Sequence, residues 1–360
     1  MASPKKTLGD LRAEIDKIDD KLLDLVSRRA RVAMKIGAAK NRGSRSVLDV
    51  GRERAVLRRL RQASRGPLSP EAVEAVFREI ISACRATQEP MSVAFLGPEG
   101  TFSHMAAIKQ FGHAAAFEGV STIDEVFTSV ETGRVRYGVV PIENTTEGAV
   151  TPTLDALART PLRVIAEVVV KIDHHLLSKS GDAKRVKRIV SHPQPLAQCR
   201  RSLAERFPGV PLETTSSTAA AAKLAAKDAT VAAVASELAA KIYGLRSVSS
   251  HIHDQPGNVT RFLVVGSDPQ PAASGRDRTS LVIAVRDEVG VLGRILQPFS
   301  DNRVNLSMIE SRPLPGRPWE YRFFIDVGGH IDDDALRRAL AQVGELSLST
   351  KVLGSYPVAD

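Results

Sequence analysis

The chain has 360 residues, 43% of them hydrophobic and 25% charged, which is ordinary for globular proteins and enough for two or three domains. No apolar run approaches the roughly 20 residues that span a bilayer. The basic start Met1 to Lys6 leads into no apolar stretch, and Cys84 and Cys199 are the only cysteines. A membrane span, a secretory signal and a disulfide or zinc scaffold are thereby excluded, and a reducing cytoplasm is expected.

The net charge of +9 is unevenly placed: residues 1–90 hold 20 Lys+Arg against 12 Asp+Glu. A basic N-terminal module suggests an anionic partner, either nucleic acid or a small polyanion. From Thr7 to Lys40 there is no proline, and Leu8, Leu11, Ile15, Ile18, Leu22, Leu25, Val32 and Ile36 follow a three-four spacing. That is a heptad seam, and a helix this long needs a second long helix, most simply from another copy of the chain. Arg29 interrupts the stripe, and a charge there needs a partner. Lys40 returns to nearly the same face, while Arg12 lies off it and points more easily at another protomer's site. Residues 41–46 read as a polar loop, Asp49 as a helix cap before Arg52 and Glu53, and Ser69 as the cap of a third helix running to Gln88. Phe77, Ile81, Cys84 and Gln88 share one stripe of that helix. Nucleic-acid binding would want exposed basic residues with aromatics, and the segment's one aromatic is on the inner stripe.

Together these residues form a cationic pocket with one carboxylate and one amide, and here the chain resembles the all-helical chorismate mutases. The resemblance rests on Leu11 to Asp16, the Arg28-Arg29 pair, Lys40 and Asp49 to Arg54. It implies an intertwined dimer whose site is lined by Arg12 from the partner chain, Arg29, Lys40, Asp49, Arg52, Glu53, Cys84 and Gln88. Chorismate is a dicarboxylate that rearranges without a nucleophile or proton transfer. A fixed conformer and cations near the ether oxygen suffice. In this reading Arg29, Lys40 and Gln88 act on the reacting atoms, and Glu53 holds the ring hydroxyl.

Beyond Pro90, strand and helix patterns alternate, which argues an α/β region, here of two lobes around a cleft. Strands are expected at 92–96, 137–140, 162–170, 188–191, 231–235 and 262–265, and helices at 123–132, 195–206 and 218–226. Gly97 to Ser103 reads as a loop opening a helix, with Thr101 or Ser103 as cap and free N–H groups for a carboxylate. Pro141 to Gly148 reads as a polar turn after a strand that Pro141 ends, carrying Glu143 and Asn144. Ser191 to Cys199 ends another strand and carries His192 and Gln198. His192 has no second ligand at metal spacing. Asn258 to Phe262 enters the last strand, where Thr260 and Arg261 alternate in direction.

These four segments together resemble prephenate dehydratase, a fold similar to the two-lobed periplasmic binding proteins with the site in the cleft. The resemblance implies Thr260 as the acid, Asn144, Ser191 and Gln198 as binding or orienting groups, and Arg261 as a carboxylate partner. Loss of a hydroxyl and carbon dioxide is driven by aromatisation, so no metal or cofactor is expected.

After the linker 267–275 the pattern strand, helix, strand, strand, helix, strand is ferredoxin-like. It resembles an ACT domain, which implies a phenylalanine site at Gly290, Val291, Leu292, Asn305, Glu310, Ser311, Arg312 and Pro313, between two copies. Gly293 stands where an apolar residue is more usual. The expected domains are 1–90, 91–268 and 277–360. The expected whole is a cytoplasmic, homo-oligomeric enzyme acting on chorismate and prephenate with phenylalanine as effector, without nucleic-acid or membrane partners. The alternatives are a preference for arogenate, or a silent amino-acid-sensing protein.

Overall fold

The computed structural model describes residues 6–41, 48–313 and 320–359. Among them no helix is long and apolar enough to cross a membrane. Backbone contacts divide the chain into two compact units, one comprising Met1–Asp49, Glu53–Met91 and Gly112–Ala115, the other Val50–Arg52, Ser92–Phe111 and Ala116–Asp360.

The first unit holds α1 (Leu8–Asn41), α2 (Val50–Ala63) from Glu53 onward and α3 (Pro70–Ala86). Thr7 and Asp10 close the start of α1 reciprocally: Thr7 N donates to the Asp10 carboxylate at 2.9 Å and Asp10 N to Thr7 Oγ1 at 3.2 Å. Ser69 caps α3 as expected, its Oγ accepting from Ala72 N at 3.1 Å. Of the polar loop expected at 41–46, all but Asn41 lies outside the described residues. The α1 seam is uncovered in the single chain, its residues from Leu8 to Ile36 being 45–65% exposed. Gly37 lets α1 meet α3, since a Cβ there would lie 2.9 Å from Gln88 Oε1.

The second unit opens with β1 (Ser92–Leu96), α4 (Phe102–Phe111), β2 (Ala116–Val120), α5 (Ile123–Glu131), β3 (Tyr137–Asn144), β4 (Gly148–Ala149), α6 (Thr151–Arg159) and β5 (Arg163–Lys171). A second lobe follows: β6 (His175–Ser178), β7 (Arg188–Ser191), α7 (Pro193–Gln198), α8 (Arg200–Arg206), β8 (Leu212–Thr214), α9 (Thr218–Lys227), β9 (Val231–Ala235), α10 (Glu237–Tyr243) and β10 (Arg246–Ser249). The chain then returns through β11 (Val259–Gly266). The sheet orders are β2-β1-β3-β11-β5, with β4 beside β3, and β10-β6-β9-β7-β8. Residues 172–174 and 250–258 are the two crossings between lobes. They run side by side, Ile172 N donating to Asn258 O at 2.8 Å and Ile252 N to His174 O at 3.0 Å.

Two expectations need correction. Pro141 does not end its strand, because β3 runs on to Asn144. Register against β11 passes from Arg261↔Glu143 to Phe262↔Pro141, so Ile142 is an extra residue at a bulge. A proline is tolerated there because its missing N–H falls where the ladder is already irregular. The helix expected at 195–206 is two helices, broken at Cys199. Asp254, on the second crossing, supplies the new cap, its carboxylate accepting from Arg201 N at 2.9 Å and Ser202 N at 2.8 Å.

The rest forms β12 (Asp277–Val285), α11 (Val291–Asp301), β13 (Leu306–Pro313), β14 (Tyr321–Gly328), α12 (Asp334–Leu346) and β15 (Ser349–Pro357). The βαββαβ order is as expected, and the sheet runs β13-β14-β12-β15. One sheet face covers its own helices through Leu281, Ile283, Ile295, Phe299 and Leu336. The other contributes Val282, Phe324, Leu353 and Tyr356 to the core of the first lobe. The contact is tight: a Cβ on Gly354 would lie 2.0 Å from Val164 O on β5.

Candidate active site

A cavity of about 570 Å³ lies between the two lobes. Its floor is the end of the β3–β11 pair, where Thr260 faces Asn144. Alternation sends Thr260 and Phe262 into the cavity and Arg261 to the opposite side. The extra residue Ile142 allows Pro141 and Asn144, three apart, to line the cavity together.

The polar groups on this floor form one chain of hydrogen bonds. Asn144 Oδ1 accepts from Thr146 N at 3.0 Å and Glu147 N at 3.1 Å, so its amide nitrogen is the free end. Asn144 Nδ2 donates to Thr260 Oγ1 and to Asn258 Oδ1, each at 2.7 Å. Asn258 Nδ2 donates to Gln198 Oε1 at 3.2 Å. That oxygen also accepts from His174 Nε2 at 2.9 Å, and Gln198 Nε2 reaches Glu147 Oε1 at 3.4 Å. Because Thr260 Oγ1 accepts from Asn144, its own proton is available to a ligand in the cavity. Gly148 ends the turn at φ +80°, a conformation that favours glycine.

The cavity's anion-holding capacity includes the expected helix start at Thr101 to Ser103 but not Arg261. No Lys or Arg is among the described residues that line it. Instead α4 and α9 begin on its wall, at Thr101 to Ser103 and Ser217 to Thr218. Thr101 Oγ1 donates to Leu96 O at 3.1 Å and accepts from His104 N at 3.4 Å, and Ser217 Oγ accepts from Ala220 N at 3.0 Å. Such helix starts carry partial positive charge and suit carboxylates.

Two of the expected cleft residues lie elsewhere. Arg261 does not line the cavity. It reaches Asp326 Oδ2 at 2.6 Å, Glu143 Oε2 at 3.3 Å and Glu167 Oε2 at 3.4 Å. Burial works against its charge, but Asp326, Tyr356 and Glu167 outweigh it and hold the guanidinium more firmly protonated. Ser191 is fully buried behind the cavity, its Oγ donating to Val234 O at 2.7 Å. His192 lines the wall and caps α7, its Nδ1 accepting from Gln194 N at 3.4 Å. Burial pushes the Cys199 thiol up to about 12, so it offers no thiolate. The sequence reading missed Glu147 and His174 and named Asn258 only as a loop position. The signal was the run of amides and histidines on the crossings, which meet only once the lobes are joined.

In the helical unit, Lys40 Nζ lies 3.6 Å from Asp49 Oδ2. Both carboxylate oxygens of Glu53 accept from Arg85 Nη1, at 2.7 and 2.8 Å, and desolvation raises the Glu53 pKa against the pull of Arg85. Arg85, only 3% exposed, was not anticipated, because it lies beside the apolar stripe of α3 rather than on it. Gln88 Nε2 lies 3.5 Å from Cys84 O, Cys84 is buried, Arg29 is half-buried, and Arg12 and Arg52 are exposed in the single chain.

On the third sheet, β13 is an edge strand carrying Glu310, Ser311, Arg312 and Pro313. Arg312 Nη2 pairs with Asp155 Oδ2 on α6 at 3.0 Å. Gly290 precedes α11 at φ +75°, with Val291 and Leu292 on its first turn, and Asn305 just ahead of β13 is exposed. A Cβ on Gly293 would meet nothing within 4 Å.

The family descriptions that match the chain are Chorismate mutase type II over residues 11–89, Prephenate dehydratase over 93–270 and ACT domain over 279–345. A bifunctional chorismate mutase/prephenate dehydratase of Neisseria gonorrhoeae is 45% identical over 97% of this chain and 96% of its own length. One of Stutzerimonas stutzeri is 42% identical over 98% of both. The crystal structure of a prephenate dehydratase from Arthrobacter aurescens in complex with L-Phe aligns at a TM-score of 0.70. It is 38% identical and covers 75% of this chain and 91% of that one.

Proposed function

We infer that this chain, which belongs to the family of bifunctional chorismate mutase/prephenate dehydratases, rearranges chorismate to prephenate and then converts prephenate to phenylpyruvate. The observation that carries the second activity is the Thr260 hydroxyl, 2.7 Å from the Asn144 amide on the floor of the cavity. Prephenate has two carboxylates. Its side-chain carboxylate suits the helix starts at Thr101 and Ser217. The ring carboxylate leaves as carbon dioxide. The electrons of the broken carbon–carbon bond enter the ring, the ring hydroxyl departs, and a proton delivered through Thr260 turns it into water. A threonine is too weak an acid to ionise first, so transfer is concerted with departure. Gln198 and Asn144 orient the substrate, and Ser191 supports the cavity from behind.

For the mutase we propose a dimer in which the α1 seams cover one another and Arg12 of each copy enters the other's site. Arg29 and Arg52 hold the carboxylates, Lys40 and Gln88 donate to the ether oxygen, and Asp49, Glu53 and Cys84 complete the lining. Gly37 is expected to be a sensitive position: Gly37→Ala puts a methyl into the Gln88 side chain. Helix propensity favours Ala by about 1 kcal/mol, so the fold is kept. Mutase turnover should drop by about tenfold, with dehydratase turnover unchanged. An unchanged mutase rate in that variant would remove Gln88 from the site.

We place the domains at 1–90, 91–268 and 277–360, the last as a phenylalanine sensor using Gly290 to Leu292, Asn305 and Glu310 to Pro313. With about 1 mM phenylalanine, dehydratase activity should fall several-fold and the thermal midpoint rise by several degrees, by ligand linkage. No change in either would end the sensor role. The direct test of the whole is to incubate the pure protein with chorismate and follow phenylpyruvate, with prephenate and arogenate in parallel. Chorismate consumed without phenylpyruvate would refute the second activity, and faster turnover of arogenate would change its substrate.

A further inference from the structure

A side-chain amide keeps its shape when turned end for end, so its neighbours decide which end meets a ligand. For Gln198 two donors converge on Oε1, His174 Nε2 at 2.9 Å and Asn258 Nδ2 at 3.2 Å. Nε2 is thereby the end turned the other way, where it reaches Glu147 Oε1 at 3.4 Å on the cavity wall and keeps a second N–H for a ligand. Of the two donors, Asn258 is shared with Asn144. His174 makes no such second bond: it is 1% exposed, and its Nδ1 is buried without a hydrogen-bond partner among the described residues. Phe102 packs edge-on against its ring, with centroids 5.5 Å apart. Burial holds its pKa below the usual histidine range, so the ring is neutral with its proton on Nε2. The other tautomer would turn a lone pair at Gln198 Oε1 and release the amide.

We propose that His174 is a positioning residue for the dehydratase reaction, its Nε2–H fixing the Gln198 amide so that the amide N–H2 faces the substrate. The role rests on the prephenate reading of the cavity. His174 is on the first crossing and Asn258 on the second, so Gln198 is oriented by both strands that join the lobes.

The test is a set of variants assayed with prephenate. His174→Leu should lower kcat/KM by roughly 30-fold, since misplacement of one orienting group costs rate on this scale. His174→Gln presents an amide N–H at the place of Nε2 and should lose less than about threefold, whereas His174→Asn reaches only the place of Nδ1 and should lose as much as Leu. Because His174 acts through Gln198, the double variant His174→Leu/Gln198→Ala should be no slower than Gln198→Ala alone. Losses that multiply in the double variant, or an Asn variant as fast as the Gln variant, overturn the proposal. If His174→Leu does not fold, the Gln and Asn pair gives the same decision. A parent chain inert toward prephenate overturns the reading of the cavity instead, while an active parent with multiplying losses overturns only the role of His174.

Discussion

Thr260→Val should lower prephenate turnover by about three orders of magnitude while KM stays within about threefold. Valine has nearly the same shape, so the change removes one oxygen and its proton. Loss of one preorganised donor costs about 10²–10³ in turnover, and loss of general-acid assistance about 10²–10⁴. The expected figure lies where these overlap, since one hydroxyl serves both. Asn144 keeps Asn258 Oδ1 at 2.7 Å and Val259 O at 3.3 Å, so its amide is not stranded. Thr260→Ser returns the hydroxyl and should recover most of the rate. Steady-state kinetics of the three proteins decide the matter, with mutase turnover as the unaffected control. A Val variant within tenfold of the parent would mean that the proton comes from elsewhere.

Asp326→Ala should cost about 3–5 kcal/mol, the usual result of removing one member of a buried ion pair. Asp326 is 2% exposed and lies 2.6 Å from Arg261, which the variant leaves enclosed with only the longer contacts to Glu143 at 3.3 Å and Glu167 at 3.4 Å. At about 2–4 °C per kcal/mol for a unit of this size, the thermal midpoint falls by roughly 10 °C. KM for prephenate should hardly move at temperatures where the variant is folded, because Arg261 faces away from the cavity. Calorimetry and kinetics on one preparation separate these effects. A tenfold rise in KM with an unchanged midpoint would return Arg261 to the substrate.

The pair of Thr260 and Arg261 also marks the limit of what sequence alone reveals. Alternation along a strand says that neighbours face opposite sides, and Thr260 and Arg261 do. It does not say which side is the cleft, since that depends on where the third sheet packs. Ser191 is placed by a related effect: a strand-end serine has a backbone carbonyl as ready a partner as any ligand, and its Oγ donates to Val234 O. Long periodic elements such as α1 were legible almost to the residue. The Ile142 bulge and the break at Cys199 were not, because β11 and Asp254, far along the chain, create them. His174 and Glu147 carried no periodic signal. They acquire meaning only as members of a network that three separate segments close.

Arg261 shares a peptide bond with Thr260, yet its charge is answered largely by Asp326 on β14. Excising residues after 268 should therefore disturb the first lobe. It would strip the nearest counter-ion from the back of the strand that carries Thr260, leaving Arg261 the longer contacts to Glu143 and Glu167, bare Val164 where Gly354 now lies, and take Arg278 from Glu167. Any truncated enzyme made from this scaffold needs new side chains at 261 and 167 before it can be expected to keep Thr260 in place.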